Sequence, residues 1–255
     1  MLEELKRLVL SAHATAAAGS IAVFDLDNTL LIGDIGEAVF AQLHANKYQL
    51  AMPWHSYRSL SRTNPHQASV SATTALRGIV IDAIESTARQ VLELNQDAII
   101  VGNDSVPVPR PHPLLRAFVQ FLQDQGFLIY VISASNHVAV QIAGEALFGI
   151  PRSCSFGIRT RVEGGRLTDE LLSPLPIGEG KAHLYRQLQT ERLPLVTATD
   201  SRLDLPLLRL TRPDGFSLWR GEDRVDFETV RALLGPRHRL FLLPPRSTIS
   251  MLEGY

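Results

Sequence analysis

The sequence contains a single cysteine, Cys154, among its 255 residues. One thiol cannot form an intrachain disulfide, nor can it supply a thiolate metal cluster. The eight histidines show no paired spacing typical of a metal site. The presence of only one cysteine favours a reducing compartment, and we expect a cytoplasmic protein.

Long apolar runs are also missing, because nowhere do about 18 apolar residues follow one another. No transmembrane helix is therefore predicted. Residues 1–19 place acidic residues before basic ones, which indicates an amphipathic helix and not a secretory signal. The net charge is −1 with no long basic block, so neither a nucleic acid nor a membrane is an expected partner.

Short apolar runs that each end in a polar residue are the most informative feature that is present. They lie at 21–24, 127–132 and 195–198, and such runs are typical of strands buried on both faces of a parallel sheet. Amphipathic stretches at 113–125, 138–147 and 181–190 predict helices between them. This alternation predicts an α/β fold with a Rossmann-like parallel sheet, whose ligands bind beyond the carboxyl ends of the strands.

Residues 34–110 interrupt the alternation. They contain helical patterns at 37–46 and 72–95, no convincing strand, and a proline-rich end that resists helix formation. We interpret them as an inserted α-helical cap domain, with 1–33 and 111–255 forming the core. Within the core, Gly164-Gly165 predicts a hairpin over 156–168.

The C-terminal part of the chain contains two further apolar segments. They lie at 216–219 and 240–243, and we expect them to add edge strands to the sheet.

Two carboxylates, Asp25 and Asp27, follow the first buried run. In a loop just beyond a strand both can face one site, where one attacks as a nucleophile and the other handles a proton. The alternative is that Asp27 and Asn28 merely cap or turn the chain.

Ser133 and Lys181 are weaker candidates when each is considered alone. A hydroxyl at a strand-to-helix junction can hold phosphate oxygens, although a helix cap is the commoner role. Lys181 could offer a fixed positive charge that balances the nucleophile and the transferring phosphoryl group, or could simply be solvated. Its surroundings are not a nucleotide-binding P-loop, because Leu175 and Ala182 occupy positions that require Gly and Ser or Thr.

Asp200 and Asp204 follow the run at 195–198. Mg²⁺ favours oxygen ligands and takes only one or two carboxylates beside a phosphate, a set that Asp25 and Asp200 could provide. The alternative for Asp204 is a residue at the start of a helix, near the positive end of the helix dipole.

In chain order, Asp25-Leu26-Asp27-Asn28-Thr29, Ser133, Lys181 and the Asp200/Asp204 pair resemble the motifs of the haloacid dehalogenase (HAD) superfamily of phosphohydrolases. The resemblance implies that Asp25 is the nucleophile and Asp27 the general acid and base. It implies a phosphate site that contains the following residues: Thr29, Ser133, Ala134 and Lys181. It also implies a Mg²⁺ site, held by Asp25, the Asp27 backbone carbonyl, Asp200 and Asp204. Thr199 stands where many members have glycine.

The insertion matches the position of the subclass I cap, and its helical character is similar to that of the phosphoserine phosphatase branch. In that branch a glutamate shortly after the first motif binds the substrate amine, and here the matching position is Asp34, with Glu37 nearby. The resemblance therefore implies a phosphoserine- or phosphocholine-like substrate, and the shorter carboxylate favours a cationic alcohol phosphate over phosphoserine. Arginines of the cap that could bind a substrate carboxylate are Arg58, Arg62 and Arg77.

The expected function is hydrolysis of a small phosphate ester with Mg²⁺ through an aspartyl phosphate. One alternative is a phosphotransferase or mutase, in which a second substrate replaces water. The other is a non-catalytic phosphate-binding protein that keeps the fold. The sequence leaves the ester and the oligomeric state open.

Overall fold

The computed structural model describes residues 1–13, 19–189, 191–221 and 224–244. Its helices are α1 (Leu2–His13), α2 (Ile35–Ala45), α3 (Trp54–Thr63), α4 (Pro65–Thr74), α5 (Ile81–Glu93), α6 (Pro113–Asp124), α7 (His137–Phe148), α8 (Glu179–Leu188), α9 (Leu205–Leu208) and α10 (Arg224–Leu234). Its strands are β1 (Ile21–Phe24), β2 (Leu31–Ile32), β3 (Ala98–Val101), β4 (Asp104–Pro107), β5 (Arg110–Pro111), β6 (Leu128–Asn136), β7 (Ser155–Ile158), β8 (Thr160–Glu163), β9 (Arg166–Leu171), β10 (Val196–Thr199), β11 (Phe216–Trp219) and β12 (Leu240–Leu242).

The chain divides into two compact units. The first comprises residues 1–32, 111–131 and 178–255, and the second comprises 33–110 and 132–177. This division groups 132–177 with the inserted segment, whereas the sequence interpretation placed those residues in the core. The core and cap boundaries drawn from the sequence stay a prediction, and residues 245–255 of that core lie outside the described part of the chain.

A parallel sheet with flanking helices forms the first unit, which confirms the predicted fold class. The strand order runs β12-β11-β10-β1-β6, and every neighbouring pair is parallel. All four residues of β1, β10 and β11 are buried, as expected for strands covered on both faces. The two predicted C-terminal strands correspond to β11 and β12.

Helix boundaries follow local chemistry. The helix α6 begins with Pro113, whose fixed φ suits a first helical position, and Gly126 with φ 74° follows its end. Asn136 caps α7 by accepting hydrogen bonds from the N–H groups of Val138 and Ala139. The helix predicted at 181–190 is α8, which ends at Leu188, and Thr190 lies outside the described residues.

The second unit contains α2, α3, α4, α5 and α7, together with two antiparallel hairpins. The last residues of β6, from Ile132, belong to this unit, in which β7 lies beside β6. The predicted Gly164-Gly165 hairpin is formed by β8 and β9, with both glycines at positive φ.

Three sequence predictions for these segments are wrong. The inserted segment does contain strands, because β3 and β4 pair across a turn at Gly102, where φ is 60°. The single helix predicted over 72–95 is two helices, since residues 75–80 lie between α4 and α5. Gly78, Ile79 and Ile81 bond there to the hairpin at Gly165 and Leu167. The strand predicted to end at Ile132 continues to Asn136, so Ser133 lies inside β6 and not at a strand-to-helix junction.

Among the described residues, no helix has both the length and the apolar character that crossing a bilayer requires.

Gly215 offers a test of the packing beneath the sheet. A Cβ atom there would lie 2.4 Å from the Leu195 carbonyl oxygen and 2.9 Å from Thr211 Cγ2. We therefore expect Gly215→Ala to lower the free energy of unfolding by about 1–3 kcal/mol, as overpacking does. The matched control is Gly19→Ala, where the nearest atom would be 3.7 Å away. Equal midpoints of the two variants in urea denaturation would contradict this packing.

Candidate active site

The Asp25 carboxyl group lies directly after β1, in a turn formed by Leu26–Leu30. Its backbone N–H donates to the Ala198 carbonyl in β10 at 3.0 Å, and its Oδ1 accepts from the Leu26 N–H at 2.8 Å. These bonds fix the carboxylate at the end of the sheet. Asp25 is 5 % exposed, so water screens its charge only weakly.

Asp27 lies in the same turn with a non-helical backbone (φ −68°, ψ 134°), and Asn28 follows in the left-handed region at φ 55°. Asparagine tolerates that region better than most residues. Asn28 therefore does shape the turn, as the alternative interpretation held. Asp27 is nevertheless buried at 9 % exposure, which is unusual for a carboxylate that only caps or turns the chain.

Lys181 forms a buried ionic cluster with two of the predicted acids. Its Nζ lies 2.8 Å from Asp25 Oδ1 and 2.6 Å from Asp204 Oδ2. The side chains of all three residues are at most 7 % exposed. Lys181 is therefore not a solvated surface lysine, which was its alternative interpretation.

The pKa values of this cluster reflect competition between burial and neighbouring charge. Burial raises the pKa of Asp25 to about 7, Lys181 opposes that rise, and Asp204 and Asp27 add to it. Burial acts against the charged form of Lys181, but Asp204 and Asp25 outweigh it and raise the pKa of this amine above its usual value. Lys181 therefore stays charged beside a carboxylate that titrates near neutrality.

Two threonine hydroxyls contact the acids of the site, and that of Thr29 connects the cluster to Asp200. The Thr199 hydroxyl donates to Asp204 Oδ2 at 2.8 Å, so the residue that replaces a glycine of the family pattern orients this acid. The Thr29 hydroxyl lies 3.5 Å from Asp25 Oδ2 and 3.4 Å from Asp200 Oδ1. Both of these carboxyl groups therefore face the same hydroxyl.

The carboxyl oxygens near the Thr29 hydroxyl are ligands that suit a hard cation such as Mg²⁺. Asp25 and Asp200 offer carboxyl oxygens, and Mg²⁺ takes only one or two carboxylates beside waters and phosphate. Asp204 Oδ2 already accepts from Lys181 and Thr199, so a metal ion or its bound water has to meet the other carboxyl oxygen, Oδ1. Within the described ranges, no group of three or more His, Cys, Asp or Glu side chains is arranged to hold a metal ion.

Arg220 is a residue of this site that sequence reasoning missed. It follows β11 and is 3 % exposed. Its Nη1 donates to the carbonyl oxygens of Asn28 at 2.7 Å, Thr29 at 2.9 Å and Leu31 at 2.5 Å. A polar residue at the end of an apolar run is the signal that identified Asp25, and the same rule applied to 216–219 would have found Arg220.

The remaining candidates lie in the second unit. The Ser133 hydroxyl accepts from the Ser135 N–H at 3.0 Å, and Ala134 lies between them in β6. The Ser135 hydroxyl donates to Asp34 Oδ1 at 3.3 Å. A Cβ atom on Gly36 would lie 2.4 Å from that hydroxyl oxygen, so only glycine permits this approach.

Asp34 and Glu37 begin α2. Asp34 caps the helix by accepting from the Glu37 N–H at 2.8 Å. Burial raises the pKa of Asp34 to about 6, while that N–H lowers it. Burial likewise raises the pKa of Glu37, which Arg58 lowers. Arg58 Nη1 lies 2.6 Å from Glu37 Oε1, so these two candidates are paired with each other.

The other two arginines proposed from the sequence are more exposed. Arg77 pairs with Asp169 at 3.1 Å on the surface, and Arg62 is exposed on α3. The structure thus brings together one group in the first unit (Asp25, Asp27, Thr29, Lys181, Asp200 and Asp204). It brings a second group together in the second unit (Asp34, Glu37, Ser133, Ala134 and Ser135).

Comparison with known proteins identifies a family. The model of haloacid dehalogenase-like hydrolases matches residues 22–209, which contain every predicted site residue. No curated protein matches the sequence.

Solved structures share the fold at low sequence identity. A conserved protein of unknown function from Anaerococcus prevotii DSM 20548 superposes with a TM-score of 0.71 and 14 % identity, over 94 % of this chain and 90 % of that one. A protein of unknown function from Bordetella pertussis Tohama I superposes with a TM-score of 0.63 and 19 % identity, over 88 % of this chain and 99 % of that one. A substrate-bound phosphoserine phosphatase superposes with a TM-score of 0.57 and 14 % identity, over 93 % of this chain and 99 % of that one.

The hold of Arg220 on the turn can be tested by hydrogen–deuterium exchange. All three bonds come from Nη1. The lysine side chain is one bond shorter than that of arginine, so its ammonium nitrogen cannot occupy the position of Nη1. We expect Arg220→Lys to speed amide exchange in residues 26–31 by about tenfold or more, which corresponds to the loss of one charged hydrogen bond. The control is Arg209→Lys, because Arg209 is exposed and donates to a single carbonyl, that of Leu233. Unchanged exchange in Arg220→Lys would contradict this role.

Proposed function

Since the chain belongs to the haloacid dehalogenase-like hydrolases, we propose that it is a phosphatase that hydrolyses a small phosphate monoester through an aspartyl phosphate on Asp25. The observation that carries this proposal is the buried contact of 2.8 Å between Asp25 Oδ1 and Lys181 Nζ. Lys181 opposes the rise that burial causes in the pKa of Asp25 and so favours the ionised nucleophile. The same ammonium can donate a hydrogen bond to a phosphoryl oxygen. The shared fold of phosphoserine phosphatases supports this class of reaction.

In the first step, an Asp25 carboxylate oxygen attacks the phosphorus atom. The bond between phosphorus and the ester oxygen breaks, and Asp27 gives its proton to the departing alkoxide. Asp27 suits this role because it lies two residues from the nucleophile in a turn that Arg220 holds. The products of the step are the free alcohol and an aspartyl phosphate.

In the second step, Asp27 is ionised and takes a proton from a water molecule. The resulting hydroxide attacks phosphorus, and the bond to the Asp25 oxygen breaks. Inorganic phosphate leaves and both aspartates return to their starting states. Water is therefore the only co-substrate that the reaction needs.

Lys181 stabilises the negative charge of the phosphoryl group, and its partners fix the position of its ammonium. Negative charge gathers on the phosphoryl oxygens during transfer, and a preorganised ammonium stabilises it without reorganisation. Asp204 Oδ2 accepts a hydrogen bond from that ammonium at 2.6 Å and another from the Thr199 hydroxyl at 2.8 Å. Thr199 thus orients the carboxylate that holds the ammonium in place. The further donors that we propose for the phosphate are the hydroxyls of Thr29 and Ser133 and the backbone N–H of Ala134.

We propose that Asp25, the Asp27 carbonyl and Asp200 hold Mg²⁺, with Asp204 acting directly or through water. When bound, the ion offsets phosphate charge and orients the ester.

Substitution of the two aspartates separates their roles. Asp25→Asn removes the nucleophile, so we expect hydrolysis of p-nitrophenyl phosphate to fall by about a thousandfold or more, as for nucleophiles in other enzymes. Asp27→Asn keeps the nucleophile but loses the base, and p-nitrophenolate leaves without a donated proton. We therefore expect Asp27→Asn to release about one equivalent in a rapid burst before a slow steady rate.

The control for both variants is the far-ultraviolet circular dichroism spectrum, which should match that of the unsubstituted protein. Near-normal turnover in Asp25→Asn would overturn the aspartyl-phosphate mechanism. A slow rate without a burst in Asp27→Asn would remove Asp27 from the second step.

Metal binding can be measured without turnover. A ligand that binds only the folded protein raises its melting temperature, so we expect Mg²⁺ added after EDTA treatment to raise the melting temperature of the protein. Asp200→Asn should abolish most of this rise because it removes one of two carboxylates. Asp169→Asn, which alters an exposed acid paired with Arg77, is the matched control. An equal rise in Asp200→Asn and in the unsubstituted protein would contradict the proposed site.

A further inference from the structure

A small pocket lies within the second unit, between α2, α3 and α4 and the end of β6. Most of its wall is apolar, and the side chains that form that part are Val39, Phe40, Tyr57, Ala72 and Leu76. Phe40 and Tyr57 contribute rings whose centroids are 5.1 Å apart. An apolar or aromatic group gains from removing such a surface from water.

The pocket adjoins the segment that is proposed to bind phosphate. Ser135 and Asn136 line it, and the Ser135 N–H donates to the hydroxyl of Ser133 at 3.0 Å. A group attached to a phosphate held by Ser133 is therefore only a few atoms from the pocket. The pocket is in the right place to receive the alcohol part of an ester.

Of the described residues that line the pocket, Glu37 alone is charged, and its charge is already matched. Arg58 Nη1 lies 2.6 Å from Glu37 Oε1, and both side chains are about three-quarters buried, with exposures of 26 % and 21 %. Arg58 Nε also lies 3.8 Å from Asp104 Oδ1, whose other oxygen accepts from Trp54 Nε1 at 2.8 Å. The arginine is thus held from two sides.

This arrangement disfavours a charged group in the pocket. A substrate ammonium has to displace Arg58 from Glu37, which leaves a partly buried guanidinium with one weaker partner. A substrate carboxylate that approaches Arg58 meets both Glu37 and Asp104, and like charges repel at such distances. An uncharged group disturbs neither contact.

We propose that the pocket accepts the uncharged, apolar part of the alcohol, so that the preferred substrates are phosphate monoesters of small branched alkyl alcohols and not those of amino alcohols or amino acids. This inference rests on the proposed phosphatase function. It narrows the substrate class that the sequence left open, and it differs from the cationic substrate that the resemblance implied.

The test uses two substrates of the same shape. Phosphocholine and 3,3-dimethylbutyl phosphate differ in the exchange of a quaternary nitrogen for carbon, so their comparison isolates charge. We expect kcat/KM to be at least about tenfold higher for the dimethylbutyl ester, which corresponds to about 1.4 kcal/mol. Equal values, or a preference for phosphocholine or phosphoserine, would overturn the inference.

Variants in the ion pair check the cause. Arg58→Met frees the Glu37 carboxylate, so the ratio of kcat/KM between the two esters should move toward phosphocholine by about fivefold or more. Glu37→Gln removes the anion without changing the size of the side chain, and the ratio should move away from phosphocholine. The control is Arg89→Met, which breaks an exposed pair with Glu145 in the same unit and should leave the ratio unchanged.

The outcomes separate the two proposals. If no ester is hydrolysed in the presence of Mg²⁺, the phosphatase function itself fails. If esters are hydrolysed but Arg58→Met and Arg89→Met give the same ratio, only the assignment of the pocket fails. Glu37→Gln keeps the second test valid even if Arg58→Met does not fold.

Discussion

The ammonium group of Lys181 between two buried carboxylates is the interaction on which the first unit depends. Three ionisable groups lie almost completely out of water, and such groups are costly to bury unless they neutralise one another. The sheet supplies the geometry that makes this possible, because β1 and β10 are parallel neighbours that end at the same edge. Asp25 and Asp204 therefore reach the same amine although the first strand and the last motif are far apart in sequence.

The sequence predicts this arrangement well where hydrophobic runs are short and unambiguous. The strand β1 matches its predicted bounds, and β10 differs by one residue at each end. Polar residues at the ends of such runs identify Asp25 and Asp200 because a parallel sheet aligns its carboxyl ends. The role of Lys181 beside the nucleophile was predicted, but its contact with Asp204 was not, since no local pattern specifies which further acid meets the amine.

The inserted segment is predicted less well, and the reason is tertiary. Residues 78–81 have a helical pattern but bond to the hairpin at Gly165 and Leu167, and these contacts replace helical hydrogen bonds. The hairpin of β3 and β4 contains a proline, Pro107, and alternates only weakly, so its sequence lacks the pattern typical of strands. Likewise, Glu37 and Arg58 were each considered as contacts for a substrate, and only the structure reveals that they contact each other.

The bonds from Arg220 also constrain the order in which the molecule can be completed. Arg220 is 192 residues beyond Asn28, whose carbonyl it binds. During synthesis on a ribosome, β1 and the turn after it emerge early, but the guanidinium that fixes this turn emerges only when most of the chain has been made. A nascent chain thus carries the two aspartates long before it contains the arginine that holds their turn in the final geometry.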